Sequence, residues 1–207
     1  MITDLDLIDA CIGTYVGAPQ SWGNDKIHAF VSQVNGTQII AFEGTQSIPE
    51  WVGNVLGATP DDTAMQHDAI GLVHREWYEG VVRVAPDILS YLEGLKDYSL
   101  AFTGHSRGAA HAEIMAAVLT LHGIRIERLS TFGTPRCGRL NGITKDIPGY
   151  LYQNMRDPVF DVPIYLHHPD GRLQYHVHEP GAEDDPWRFL RDHRPQLYRA
   201  GVIKAGN

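Results

Sequence analysis

At 207 residues with 43% hydrophobic side chains, the chain is long enough for one domain with a packed core and needs no disulfide to close it. Its formal charge of −8 argues against the basic stripe of a nucleic-acid binder, and no apolar run reaches the length of a membrane span. The two cysteines, Cys11 and Cys137, lie far apart and in no metal-ligand spacing, which reads as two reduced thiols.

The first residues, Met1-Ile-Thr-Asp-Leu-Asp, lack the charged-then-apolar pattern of a secretory leader. The expected location is therefore cytoplasmic, or outside the cell by release without a signal peptide. Thr3 to Val16 carries apolar residues at Leu5, Ile8, Ile12 and Val16, which predicts a helix capped by Thr3. Ile27 to Val34 and Thr37 to Phe42 flank Asn35-Gly36, the strongest short hairpin signal, and read as paired strands. The second strand runs into Glu43-Gly44-Thr45. Ser47 to Leu56 predicts a short helix with Pro49 in its first turn, and Ala58 to Asp68 reads as a loop. His74 to Leu95 sets Trp77, Val81, Val84, Ile88, Tyr91 and Leu92 near one face of a long helix, in which Pro86 predicts a kink or break.

The rest of the chain is organised around residues 98–117. Leu100, Ala101 and Phe102 predict a buried strand, Ala109 to Leu121 a helix, and Gly104-His-Ser-Arg-Gly108 lies between them. This G-x-S-x-G pattern, set between strand and helix, is a nucleophile elbow: the turn lifts the serine hydroxyl clear of the backbone, and the glycines let strand and helix pass closely. The helix start then points N–H groups at the place where an oxyanion would form. Ser106 is the candidate nucleophile.

Ile126 to Phe132 is a further strand, ending in Gly133-Thr134-Pro135-Arg136; Tyr150 to Met155 is another, ending before Asp157-Pro158. Ile164 to His167 and Arg172 to His178 flank His168-Pro-Asp-Gly171 and predict a hairpin. Pro180 to Asp185 reads as an acidic loop and Pro186 to Tyr198 as a helix. Strand, helix, strand, helix, strand from residue 98 onward imply an α/β domain over residues 1–207, with a central, mostly parallel sheet covered by helices.

An activated serine needs a base and an acid that orients the base, both from loops at the carboxyl edge of the sheet. Asp157, just past its strand, fits the acid, with Asp161 as the alternative; a turn aspartate that only caps its own backbone is the plain structural reading. Among eleven histidines, His193 follows Ser and Asp in chain order and is chosen as base over His176 and His178. His105 sits inside the elbow and is expected to turn into packing. His176 and His178, alternate residues of one strand, could hold zinc with His167 or His168. No cysteine joins them and no H-E-x-x-H occurs, so neither a metal nor any other cofactor is expected.

Five stretches in order resemble the class 3 lipases, fungal triacylglycerol lipases with an α/β-hydrolase-type fold. They are Ile40 to Trp51, Val73 to Trp77, Thr103 to Ala109, Thr131 to Arg136, and the pair Asn154 to Val159 with Asp192 to Tyr198. The resemblance implies Ser106, Asp157 and His193 as the triad. It also implies an oxyanion hole made by Thr45 and the backbone N–H of Arg107. The implied partner is an ester or lipid substrate, met through transient contact with lipid aggregates; oligomeric state is not implied. Glu43, Arg107 and Glu76 stand where the family usually has arginine, leucine and glycine. The opposite signs of Glu43 and Arg107 predict a pair, whereas Glu76 has no evident reason. Asp61, Asp62, Gln66 and Asp68 make the segment in the family's lid position polar, which predicts a reduced lid and brings an esterase or phospholipase A level with a fat-droplet lipase. Arg107, Arg188, Arg191 and Arg194 predict tolerance of anionic substrates.

Overall fold

The computed structural model describes residues 1–16, 21–24, 27–45, 59–155, 157–179 and 190–206. Four helices, α1 (Asp4–Thr14), α2 (Arg75–Glu93), α3 (Arg107–Leu121) and α4 (Pro195–Ala205), cover a seven-stranded sheet. In chain order the strands are β1 (Ser21–Asn24), β2 (Ile27–Val34), β3 (Thr37–Phe42), β4 (Ala64–His67), β5 (Gly71–His74), β6 (Ser99–His105), β7 (Arg128–Phe132), β8 (Leu151–Asn154) and β9 (Gln174–Val177). The sheet order is β1-β2-β3-β6-β7-β8-β9, and β4 and β5 form a separate antiparallel pair. β1 to β3 are antiparallel, and every pairing from β3 to β9 is parallel. This is the expected α/β architecture, and Asn35-Gly36 makes the turn where its sequence demands it, with φ of 51° and 82°.

The parallel register aligns the carboxyl edge. Phe42 pairs with Gly104, His105 with Phe132, and Phe132 with Tyr152, so the loops after these strands open side by side. Alternating side chains feed two cores. Ile40, Phe42, Leu100, Phe102 and Leu129 pack with Trp77, Val81 and Ile88 of α2 and with Ile114 and Met115 of α3. Ile39, Ala101, Phe132 and Tyr152 pack on the other face with Leu7, Ile8 and Cys11 of α1 and Tyr198 and Val202 of α4. With strands covered on both faces, the middle of the sheet reads as a near-continuous apolar run.

Five expectations change. The buried face of α1 is Asp4, Leu7, Ile8, Cys11 and Thr14, while Val16 is exposed. Polar residues on that face hid it from the hydrophobic pattern. Buried Asp4 accepts from Arg128 Nε, Ser130 Oγ and Tyr152 Oη, each at 2.6 Å, and so pins α1 to β7 and β8. α2 runs through Pro86 unbroken. Pro86 and Val82 both face solvent, where water can take the carbonyl that the missing N–H leaves. The loop expected from Ala58 to Asp68 contains, in its described part, a helical turn (Pro60–Thr63) and β4.

The fourth change is at residues 164–178. β9 pairs parallel with β8, not in a hairpin with residues 164–167. Arg172 explains the direction: its Nη1 donates to the Ile147 carbonyl at 2.8 Å and its Nη2 to that of Leu129, which draws the chain back to the start of β8 before β9 begins. The described part of the helix expected from Pro186 is a 3-10 turn (Arg191–His193), and α4 begins at Pro195, whose ring forces Arg194 to stay extended. The helix expected at 47–56 and the loop at 180–185 lie outside the described residues.

Candidate active site

Ser106 joins β6 to α3 with φ +60° and ψ −134°, a strained conformation for a residue with a side chain. Close packing imposes it. A Cβ on Gly108 would stand 2.2 Å from the Phe42 carbonyl oxygen, so the helix can approach β3 only with glycine there. The Ser106 N–H donates to the Phe132 carbonyl at 3.0 Å, which fixes the elbow to the end of β7. Ser106 Oγ is buried and has no hydrogen-bond partner.

Asp157 stands just past β8 and is fully buried. Its two oxygens do different work. Oδ1 accepts from the Val159 N–H at 2.9 Å and caps the 3-10 turn Pro158–Asp161; Oδ2 meets His193 Nδ1 at 2.6 Å and accepts from the Tyr198 hydroxyl. The capping role and the pairing role are thus both real. Burial pushes the Asp157 carboxyl up, but His193, Tyr198 and the Val159 N–H outweigh it and hold the carboxyl below its usual range. An imidazole whose Nδ1–H is given to a carboxylate keeps its lone pair at Nε2, and His193 Nε2 is buried without a partner.

His193 lies beside Ser106. A Cβ on Gly133, the residue after Phe132, would meet His193 Cε1 at 2.8 Å and Asp157 Oδ2 at 2.9 Å. The His105 and His193 rings are 4.5 Å apart. Ser106 Oγ and His193 Nε2 are not hydrogen-bonded to each other, a looseness common in sites without substrate.

His105 does turn into packing, but with both nitrogens occupied. Its Nε2–H donates to the His193 carbonyl at 2.7 Å, so Nδ1 accepts from the Tyr15 hydroxyl at 2.8 Å. Burial, then His193, pulls its pKa down to about 3, so the ring is a neutral strut. Asn154 holds the base from another side: its Nδ2 donates to the carbonyls of Asp192 (2.9 Å) and Glu179 (2.8 Å), and its Oδ1 accepts from Glu179 N–H at 2.9 Å. Tyr15, Gly133, Asn154 and Tyr198 were not singled out from the sequence. Gly133, Asn154 and Tyr198 lay inside stretches that resemble the class 3 lipases but were given no role of their own, and Tyr15 was not marked at all.

Thr45 follows Gly44, on which a Cβ would stand 2.7 Å from the His105 carbonyl oxygen, so this loop runs against the elbow. Thr45 Oγ1 is buried without a partner. Arg107 is the first residue of α3, where backbone N–H groups lack helical acceptors. Its guanidinium is pulled down by burial and held up by Glu76, then Glu43 and Tyr15. Among the described residues no ion pair joins Glu43 to Arg107: Glu43 Oε2 meets His28 Nδ1 at 3.0 Å, and Glu76 and Glu43 act on Arg107 only as nearby charges. Asp192 pairs with Arg191 at 3.5 Å, and Arg188 lies outside the described residues.

The alternatives fall elsewhere. Asp161 is exposed and pairs with Arg136 at 3.1 Å. His176 and His178 are exposed, His167 lies 3.3 Å from Arg139 Nη2, and His168 Nε2 donates to the Phe160 carbonyl at 2.9 Å. Among the described residues, no three His, Cys, Asp or Glu side chains gather at metal-binding distance.

Residues 39–161, more than half of the chain, match the family model Lipase (class 3). The chain belongs to the class 3 lipase family. The secreted mono- and diacylglycerol lipases A of Penicillium cyclopium and Penicillium camembertii are each 26% identical to it over 153 residues, covering 66% of this chain and 48% of theirs. The chain thus spans about half the length of the curated relatives it matches. The lipase of Rhizopus microsporus var. chinensis superposes with a TM-score of 0.62 at 20% identity, over 77% of this chain and 60% of that one. The Rhizomucor miehei triacylglyceride lipase does so with a TM-score of 0.61 at 21% identity, over 78% and 65%. These likenesses establish the α/β-hydrolase-type fold. The cytoplasmic or leaderless expectation is withdrawn: both curated relatives are secreted proteins, and an N-terminal composition was too thin a basis for it.

Proposed function

We propose that this class 3 lipase-family chain is a serine carboxylic-ester hydrolase acting through an acyl-serine intermediate on a lipid or small ester. The observation that carries the reading is the buried Asp157–His193 pair, closed at 2.6 Å, beside the strained elbow serine. His193 Nε2 takes the Ser106 proton as Oγ attacks the ester carbonyl, and Asp157 holds the ring in the tautomer that accepts it. Thr45 and the Arg107 N–H take the developing oxyanion, a contribution worth roughly 3–4 kcal/mol per donor in comparable sites. His193 then returns the proton to the leaving alcohol, and water repeats the cycle on the acyl-enzyme.

The relatives' names point to acylglycerols as the substrate class, with lipid aggregates as the surface on which they are met. The polar residues Asp61, Asp62, Gln66 and Asp68 in the family's lid position favour small or dispersed esters over the interior of a fat droplet. Ser106→Ala should lower hydrolysis of a short-chain nitrophenyl ester by at least about a thousandfold with the thermal transition unchanged. A fluorophosphonate probe should label the wild type at Ser106 and leave the variant unlabelled. Normal turnover by Ser106→Ala would end the proposal. A chain-length panel of acylglycerols and phospholipids, with and without micelles, then separates lipase, esterase and phospholipase A.

A further inference from the structure

Helix α1 reaches the active site as well as the core. It crosses its face of the sheet from the amino edge to the carboxyl edge. Asp4, at its start, meets Arg128, the first residue of β7; Tyr15, just past its end, meets His105, the last residue of β6. The Tyr15 hydroxyl stands where three segments of the site meet. It donates to His105 Nδ1, in the elbow strand, at 2.8 Å. A Cβ on Gly44 would stand 2.2 Å from Tyr15 Oη, so the same hydroxyl rests against the loop that carries Thr45. The third segment is reached through the His105 ring, whose Nε2–H donates to the His193 carbonyl at 2.7 Å.

The direction of these bonds follows from their acceptors. A carbonyl can only accept, so His105 carries its proton on Nε2. Nδ1 of the same neutral ring then has only a lone pair to offer, and it takes the tyrosine proton. The Tyr15 hydroxyl thus fixes the His105 tautomer, and that tautomer holds the backbone of the turn that carries the base. Proton transfer between Ser106 and His193 needs nothing from Tyr15, so its part lies in alignment. We propose that Tyr15 is a positioning residue: through its hydroxyl, α1 sets the Thr45 loop and the His193 turn relative to the elbow serine. The catalytic consequence rests on the hydrolase reading; the Tyr15–His105–His193 linkage does not.

Tyr15→Phe removes the hydroxyl and keeps the ring. The NMR signal of the His193 Nδ1 proton, held by Asp157, reports on the base without any turnover. In Tyr15→Phe it should exchange with water about fivefold faster than in the wild type, with the thermal transition lowered by only a few degrees. On nitrophenyl acetate and nitrophenyl octanoate alike, kcat should fall about tenfold with KM within about twofold, because alignment is lost and binding is not. His105→Gln should lose about as much, and the double variant no more than the worse single one, because the two residues act in series. Unchanged exchange in Tyr15→Phe, or unchanged kcat in an active enzyme, overturns the proposal. So does a KM rise that grows with acyl length, which would make Tyr15 a wall of the substrate pocket. A double variant whose loss is the product of the two single losses overturns it too, since Tyr15 would then act by a route other than His105. If exchange responds as expected while the wild type hydrolyses no ester, the hydrolase reading fails and the linkage stands.

Discussion

Gly133 shows how little room the site leaves a single residue. Its φ of +58° is a conformation that a side chain resists by about 1 kcal/mol, and a Cβ there would press on His193 Cε1 at 2.8 Å and Asp157 Oδ2 at 2.9 Å. Asp157 is held by Val159, Tyr198 and His193, whereas the His193 ring is held through Nδ1 to Asp157, so the ring is the group that gives way. Gly133→Ala should therefore move the ring rather than unfold the chain. The expected result is a loss of about a hundredfold in kcat/KM, the usual consequence of an ångström of misplacement, with a thermal transition lowered by only a few degrees, measured by ester hydrolysis and scanning calorimetry. A variant with wild-type rates would mean that the pair is looser than its contacts imply. Ser106, Asp157 and His193 were marked in the chain because each sits at a strand end or in an order that the proposed chemistry requires. Gly133 and Tyr198 could not, because their roles consist of contacts with residues 24 and 41 or more positions away.

At the scale of elements, the sheet brings Asp157 and His193 together through Asn154, the last residue of β8. Its side chain ties the exit of β9 at Glu179 to the turn that carries His193. Asn154→Ala would remove three buried or half-buried hydrogen bonds and leave the Asp192 carbonyl without this donor, at a cost of about 2–4 kcal/mol. The transition temperature should drop by roughly 4–10 °C, and kcat should fall about tenfold as the His193 turn loosens. A drop in stability with kcat intact would show that Asp157 and Tyr198 hold the base by themselves. The same scale decides what the chain could declare in advance. The β2–β3 hairpin was legible to the residue because Asn35-Gly36 specifies its turn locally. The direction of β9 was not, because Gly171 permits a turn but Arg172, reaching the carbonyls of Leu129 and Ile147, chooses a parallel partner. The α1 face was misplaced for a similar reason: Asp4 is buried for the sake of Arg128, Ser130 and Tyr152, and hydrophobicity carries no trace of that.

Over the whole molecule, the fold stores many ionisable groups in one protonation state, and this sets its response to acid. Burial drives His105 and His111 down to about 3, and His74 and His168 to about 4, from a usual 6.5. In the unfolded chain these rings take protons below about pH 6.5, while in the folded chain they stay neutral until pH 3–4. The unfolded state then binds more protons, so stability is full above about 6.5 and declines as pH falls through this window. Asp4 and Asp157, held low by their partners, add a second loss below about pH 4. Glu113, pushed up by burial, works the other way and costs stability as pH rises through its raised value. The histidine contribution can be isolated at His111, which is buried against Phe42, outside the Asp157–His193 pair, with Nδ1 unpartnered. His111→Leu should match the wild type or exceed it slightly at pH 7.5, since an unsatisfied polar atom is removed. At pH 4.5 it should melt about 5 °C above the wild type, because one ring no longer draws the unfolded state toward protons. Parallel melting curves for the two proteins from pH 7.5 to 4.5 would show instead that His111 titrates freely in the fold, and that the acid sensitivity must be sought in the carboxylates.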